Sequence, residues 1–142
     1  MKFEIKNRFT GDTQFTAEID CGEDAAISRK IGLAVKCAVK NGANLSGADL
    51  RGADLSGAHL TDANLRGAKG VVPLGTPDGW TAVGWWIDGK PWVRVGCRNK
   101  SLSDGKWYWA KKPNRREVMA AVEYFEAVAA IRGQLDDKGE SG

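Results

Sequence analysis

"GANLSGADLRGADLSGAHLTDANLRGA", residues 42–68, brings back Ala, then a polar residue, then Leu every five positions. Leu45, Leu50, Leu55, Leu60 and Leu65 mark the period. On an α-helix a step of five turns each leucine about 140° from the last and builds no apolar stripe. On a flat strand an odd step sends successive leucines to opposite faces, so a half-buried sheet fails as well. Collagen requires glycine at every third position, whereas Gly47, Gly52, Gly57 and Gly67 keep the five-residue spacing. What remains is a chain whose structure itself repeats after five residues. In such a coil, with one pentad per side, Leu points inward, the small Ala tolerates the crowded interior, and the glycines or Asp62 turn the corners.

The pentads ANLSG, ADLRG, ADLSG, AHLTD and ANLRG resemble the pentapeptide-repeat family, whose pattern is A(D/N)LxX; only His59 departs at the second position. The resemblance implies a right-handed quadrilateral β-helix in which four pentads close one coil. Residues twenty apart then stack at the strand spacing of about 4.8 Å, with Asn44 under Asn64 and Leu45 under Leu65. The pattern covers residues 43–67, and a stack of one to one and a half coils cannot bury both of its ends. Its flanks must cap it.

Before the pentads, "KFEIKNR" (2–8) and "QFTAEID" (14–20) alternate apolar and polar residues around "TGD", which predicts a β-hairpin with one buried face. From Asp24 to Lys40, Ile27, Ile31, Ala34, Val35, Ala38 and Val39 recur at helical spacing, and Asn41-Gly42 ends that helix in a left-handed turn. This helix is the natural N-terminal cap of the coil. After the pentads, "VVPLGTPDGW" (71–80) is an irregular bridge, and all six tryptophans follow it. "WTAVGWWI-DG-KPWVRVGC" (80–97) predicts a second hairpin turning at Asp88-Gly89. Ser103 is the expected cap of a short helix through Trp109, and Asn114 of a longer one to Arg132 that Gly133 closes. Val118, Ala121, Val122, Phe125, Val128 and Ala129 form the buried stripe of the longer helix. The fold class is therefore mixed α+β: a hairpin and capping helix (1–42), a short β-helix (43–70), a Trp-rich α+β lobe (71–133) and a flexible tail (134–142).

With 21 basic and 18 acidic side chains among 142 residues, the formal charge of +3 does not by itself call for a nucleic-acid partner. Cys21, Cys37 and Cys97 are odd in number, far apart and form no CxxC pair, so they read as reduced thiols rather than a zinc knuckle or disulfide scaffold. No signal-peptide core and no apolar run of membrane-spanning length is present, which points to a cytoplasmic protein without a membrane role. Catalysis is not expected and no cofactor or metal is called for. The single histidine, His59, sits at an outward pentad position with no base partner, and Cys97 reads as a buried structural thiol. Some pentapeptide-repeat proteins bind DNA gyrase through a long acidic helix. Here Asp49, Asp54 and Asp62 are balanced by Arg51, Arg66 and Lys69, and the coil is short, so that role is disfavoured.

The candidate binding residues lie elsewhere. From Arg98 to Arg116 the chain carries Arg98, Lys100, Lys106, Lys111, Lys112, Arg115 and Arg116 with Asp104 as the only acid, and Trp107, Tyr108 and Trp109 in the middle. Basic residues among aromatics hold phosphates and stack on bases, and they also anchor protein interfaces. On helical geometry Trp107 and Trp109 cannot both face one core. Trp85 and Trp86, adjacent on a strand, point to opposite faces; Trp86 joins the candidates as the one a partner or the C-terminal helix would cover, while Trp80 and Trp92 are expected to be cross-strand neighbours. A homodimer would also cover such apolar surface. The order of hairpin, helix, few pentads and a tail with "VGCR" (95–98) before "AVEYFEAVAAIRG" (121–133) is similar to small bacteriophage accessory proteins. The expectation is a non-enzymatic phage-type binding protein. It would act in the host bacterial cytoplasm by occupying a host protein, such as a CRISPR or other defence component. Nucleic-acid or signalling-nucleotide binding by the basic-aromatic cluster is the alternative.

Overall fold

A computed structural model describes residues 1–58, 60 and 63–132. The fold is mixed α+β, and its described residues divide into two compact units meeting between Val71 and Val72. His59, Asp62, Gly133 and the tail, on which some sequence expectations rest, lie outside the described residues.

The first unit begins with the antiparallel hairpin β1 (Lys2–Lys6) and β2 (Thr13–Glu18), in register Phe3 to Ala17 and Ile5 to Phe15. Ile5 and Ala17 are buried on its inner face. Helix α1 runs Ile27–Lys40, starting later than the apolar period suggests. Its first residue, Ile27, is exposed rather than part of the buried stripe, which begins at Gly32 and includes Ala34, Val35 and Ala38. The helix ends as Asn41-Gly42 predicts. Gly42 has φ 69° and donates its N–H to the Val39 carbonyl, and Ala43 donates to that of Ala38. This is the paired 5→2 and 6→1 closure that a left-handed residue permits. Ala43 is also the first residue of the first pentad, so helix termination and repeat initiation share one turn.

Each described pentad then repeats two local bonds. The Leu carbonyl accepts from the Ala N–H three residues on, at 45/48, 50/53, 55/58, 60/63 and 65/68. The side-chain oxygen of the second residue accepts from the N–H two residues on: Asn44 from Ser46, Asp49 from Arg51, Asp54 from Ser56 and Asn64 from Arg66. The A(D/N)L pattern thus has a physical cause. Asn or Asp closes an Asx turn, Leu fills the interior, and the fifth residue turns the chain. Gly47, Gly52 and Gly67 sit at φ between 71° and 78°, where a side chain is strained. Leu45, Leu50 and Leu55 are fully buried and Leu60 and Leu65 nearly so.

Pairing across the segment follows the twenty-residue interval. Asp49 and Lys69 form a parallel bridge; Leu45, Gly47 and Leu50 donate to the carbonyls of Asn64, Arg66 and Lys69, and Lys69 donates back to that of Ala48. The hairpin covers the other edge of the same stretch. Asp49 donates to the Lys6 carbonyl and Arg8 to that of Gly47, while the Gln14 side chain reaches the carbonyls of Asn44 and Ser46. On the next side α1 takes over: the Asp54 N–H donates to the Ser28 carbonyl, and a Cβ at Gly32 would run into the Asp54 carbonyl oxygen. Hairpin and helix satisfy backbone groups that an uncovered edge would leave open.

The second unit is one antiparallel sheet in the order β3 (Val71–Pro73), β4 (Ala82–Ile87), β5 (Lys90–Val95), β6 (Arg98–Ser101), packed on α2 (Leu102–Ala110) and α3 (Arg116–Ile131). Asp88 and Gly89, both at positive φ, make the two-residue turn between β4 and β5. Trp85 pairs with Trp92, not Trp80 with Trp92; Trp80 lies outside the sheet, after the short turn at Pro77–Gly79. Both adjacent tryptophans are buried. Trp86 meets Phe125 of α3 with ring centroids 5.1 Å apart, and Trp85 faces the opposite side of the sheet at 0% exposure. Trp86 is therefore core, not a docking residue, because α3 covers its face of the sheet.

Two helix starts also differ from their local signals. Ser101, not Ser103, caps α2 by accepting from the Asp104 N–H. The start of α3 falls after Arg115 rather than Asn114, and its cap comes from 40 residues away in sequence. Asp78 accepts from the Val118 N–H at 2.9 Å, and Glu117 accepts from the Asp78 N–H at 2.7 Å. This reciprocal pair reproduces a capping box from a distant loop and holds Asp78 at φ 52°.

Candidate functional site

Strand β6 turns back from β5 through Gly96-Cys97 and leads directly into α2, which brings Arg98, Lys100 and Tyr108 to one side of the lobe. The Tyr108 ring is faced by three cations: Lys100 Nζ at 4.3 Å, Lys112 Nζ at 4.6 Å and Arg98 Cζ at 5.3 Å from its centroid. Beside it, Trp80 lies against Gly96, where a Cβ would come within 2.8 Å of the indole, and Arg115 sits over the same ring at 5.7 Å. Arg98, Tyr108, Lys112, Trp80 and Arg115, with Cys97, Asn114 and the edge of Trp109, line a cleft of about 210 Å³ that holds no Asp or Glu. Among the described residues none of the ion pairs involves Arg98, Lys100, Lys112 or Arg115. The cations are held by ring faces instead.

The rest of the sequence-nominated set is distributed differently. On the other side of α2, Trp107 is 66% exposed and carries Lys111 at 3.6 Å over its ring. It borders an apolar groove of about 510 Å³ between α2 and α3, lined by Leu102, Ala110 and Met119. Lys106 is in that groove but is neutralised by Glu126 at 2.7 Å. Trp109, named among the candidate binding residues, is instead a core residue, since α2 turns it onto β5 beside Gly105 and Val93. Arg116 is exposed at the first turn of α3 and lines neither cavity. Cys97 is exposed in a two-residue turn rather than buried, because the strand preceding it ends at Val95. Trp80 was the contributor that strand reasoning missed; the Pro77-Asp78-Gly79 turn just before it was the available signal that it leaves the sheet.

In the first unit the polar pentad positions form a different surface. Arg51 meets Asp49 through two bonds, Nε to Oδ1 at 2.9 Å and Nη2 to Oδ2 at 2.8 Å. The Arg51 guanidinium holds the Asp49 carboxyl below its ordinary range. Leucines inside, Asx turns at Asn44, Asp49, Asp54 and Asn64, and backbone pairing at twenty residues agree with a match to the family described as pentapeptide repeats (8 copies), over residues 41–69. Residues 41–69 are pentapeptide repeats. The match covers about a fifth of the chain; no curated protein and no solved structure matches it. On the pentapeptide repeats the half-buried Asp49 pairs with Arg51, and the half-buried Asp54 accepts from the Ser56 hydroxyl.

Among the described residues no cluster of His, Cys, Asp and Glu is placed to hold a metal, and no helix is long and apolar enough to cross a membrane.

Proposed function

We propose that the chain is a non-enzymatic binding protein. In this reading the pentapeptide repeats are about one to one and a half coils of a right-handed quadrilateral β-helix, capped by the hairpin and α1, and serve as a rigid scaffold. The second unit carries the interaction face. The observation that supports this is Trp107, a tryptophan left two-thirds exposed at the edge of an apolar groove walled by Leu102, Ala110 and Met119. Exposed aromatic anchors beside desolvated pockets are the usual centres of protein interfaces, and a contiguous apolar patch on a small protein marks a contact surface. The organisation resembling bacteriophage accessory proteins makes the target a bacterial protein, with a defence component such as a CRISPR complex as the class to examine, and the host cytoplasm as the place of action.

The test is affinity capture from bacterial lysate on the tagged chain and on Trp107→Ala, each with and without nuclease. A protein recovered in stoichiometric amount after nuclease treatment and lost with Trp107→Ala is the expected result. Equal recovery on both baits, or none on either, would overturn the reading.

A further inference from the structure

We infer that the cleft formed by Arg98, Tyr108, Lys112, Trp80 and Arg115 is a nucleotide site that takes a terminal phosphate. It lies across α2 from the Trp107 groove and does not depend on the protein-binding role of that groove. Charge is the first argument. Arg98, Lys112 and Arg115 line the cleft and Lys100 lies over the same Tyr108 ring, with no acid in the lining. Asp78, Asp104 and Glu117, the acids nearest to it in sequence, are not among the residues that line it, and Asp78 and Glu117 are turned to the start of α3, where they accept from Val118 N–H and Asp78 N–H. Four like charges gathered without counter-charge repel one another. A single carboxylate offsets one of them, whereas a phosphate monoester carries nearly two charges and three acceptor oxygens.

Size and shape supply the second argument. A cleft of about 210 Å³ is smaller than the roughly 300–1,000 Å³ that encloses a whole small ligand. It fits the phosphate end of a ligand whose remainder lies outside. At the rim, Arg115 covers the face of Trp80, which itself rests on the bare backbone of Gly96. A planar base stacks on a guanidinium as it does on an aromatic ring. Phosphate on Arg98 and Lys112, with Lys100 beside them on the Tyr108 ring and the base against Arg115, is the arrangement that uses every cation lining the cleft. Because Tyr108 already holds three of the four near their positions, little side-chain entropy is lost on binding. Both a free mononucleotide and the 5′-phosphorylated end of an oligonucleotide present this chemistry.

The experiment is calorimetric titration of the full chain with adenosine 5′-monophosphate, adenosine, ribose 5-phosphate, and a short oligonucleotide with and without a 5′-phosphate. Saturable binding of the monophosphate that adenosine lacks is expected. It should weaken at least about tenfold in the Arg98→Ala, Lys112→Ala double variant and remain unchanged in Lys106→Ala, whose cation is paired outside the cleft. Arg115→Gln should narrow the preference for the monophosphate over ribose 5-phosphate. Stronger binding of the 5′-phosphorylated oligonucleotide than of the mononucleotide would identify a nucleic-acid end as the source of the phosphate. The inference is overturned if no phosphorylated probe binds, if the double variant binds as well as the parent, or if ribose 5-phosphate matches the monophosphate. Arg98 and Lys112 are exposed, so the variants leave the core intact, and thermal melting confirms that they fold. Loss of a protein partner with Trp107→Ala leaves each of these outcomes unaffected, so the two readings fail separately.

Discussion

In residues 43–70 five leucines occupy equivalent places, each buried and each starting the same three-residue bond to an alanine N–H. In residues 80–132 six tryptophans occupy six different ones. Trp85 and Trp86 are buried on opposite faces of the sheet, Trp109 is in the core, Trp92 is half-buried, Trp80 rests on a turn, and Trp107 stands 66% exposed. The first region is ordered by repetition of short-range backbone and side-chain bonds, so each pentad is supported by the same small set of contacts. The second is ordered by single, bulky contacts that occur once. A side chain in the repeat therefore reveals the role of its equivalents, while a side chain in the lobe reveals only its own.

The contrast is sharpest at Phe125. Its ring meets Trp86 and closes over Gly84, where a Cβ would lie 2.5 Å away. Phe125→Ala is expected to cost about 3–5 kcal/mol, read as a lowered urea midpoint. A loss comparable to an exposed substitution would show that the lobe tolerates voids as loosely packed cores do.

The repeat offers a finer test, because one pentad position exists in two backbone states. Gly52 has φ 78° with open space around it, and Gly57 has equally open space without a positive φ. Gly52→Ala should destabilise by about 1–2 kcal/mol, whereas Gly57→Ala should be neutral or stabilise by up to about 1 kcal/mol through the unfolded chain. Equal effects in thermal melting would mean that the pentads are less distinct than their dihedral angles.

The smallest effect concerns Asp49. Asn at this position keeps the Asx turn to Arg51 but loses the charge pair, so Asp49→Asn separates the two roles. Arg51 lowers the folded-state titration of Asp49. Such a group contributes stability above its unfolded value, about 4, and loses it as pH falls through the lower folded value. Both side chains are partly in water, so the advantage of the parent at neutral pH should be under about 1 kcal/mol. It should vanish once the pH has fallen through that lower folded value; a difference that persists beyond it would assign it to something other than the ion pair.

How much could be read beforehand follows the same divide. The pentad pattern carried its own period and its inward leucines, since every equivalent residue repeats the signal; the twenty-residue pairing came only with the family resemblance. The hairpin and α1 were visible through apolar alternation and the Asn41-Gly42 stop. In the lobe, β6 was missed because "RNKS" has no strand-favouring side chains; it exists because β5 offers it an edge, pairing Val93 with Lys100 and Val95 with Arg98. The cap of α3 was misplaced because Asp78 supplies it from another part of the chain. The basic and aromatic residues were recognised as a group, yet α2 divides them: Tyr108 and Lys112 toward the cleft, Trp107, Lys111 and Lys106 toward the groove. Sequence adjacency cannot show which neighbours a one-turn rotation will separate.

Because α1 closes on Ala43 and the hairpin binds the backbone at Gly47 and Asp49, the start of the repeat is pinned like the zero mark of a ruler. Interchangeable pentads alone would let the segment slide by five residues with little change in what is buried. The pinned end removes that freedom, and the bridge from Asp49 to Lys69 sets the graduation at twenty. An insertion of five, ten or fifteen residues before Lys69 would therefore misalign everything after it, whereas one of twenty would restore every partner. By this geometry the scaffold can lengthen only in whole layers, and a lineage could elongate it without redesigning either the hairpin and helix that begin it or the lobe that follows.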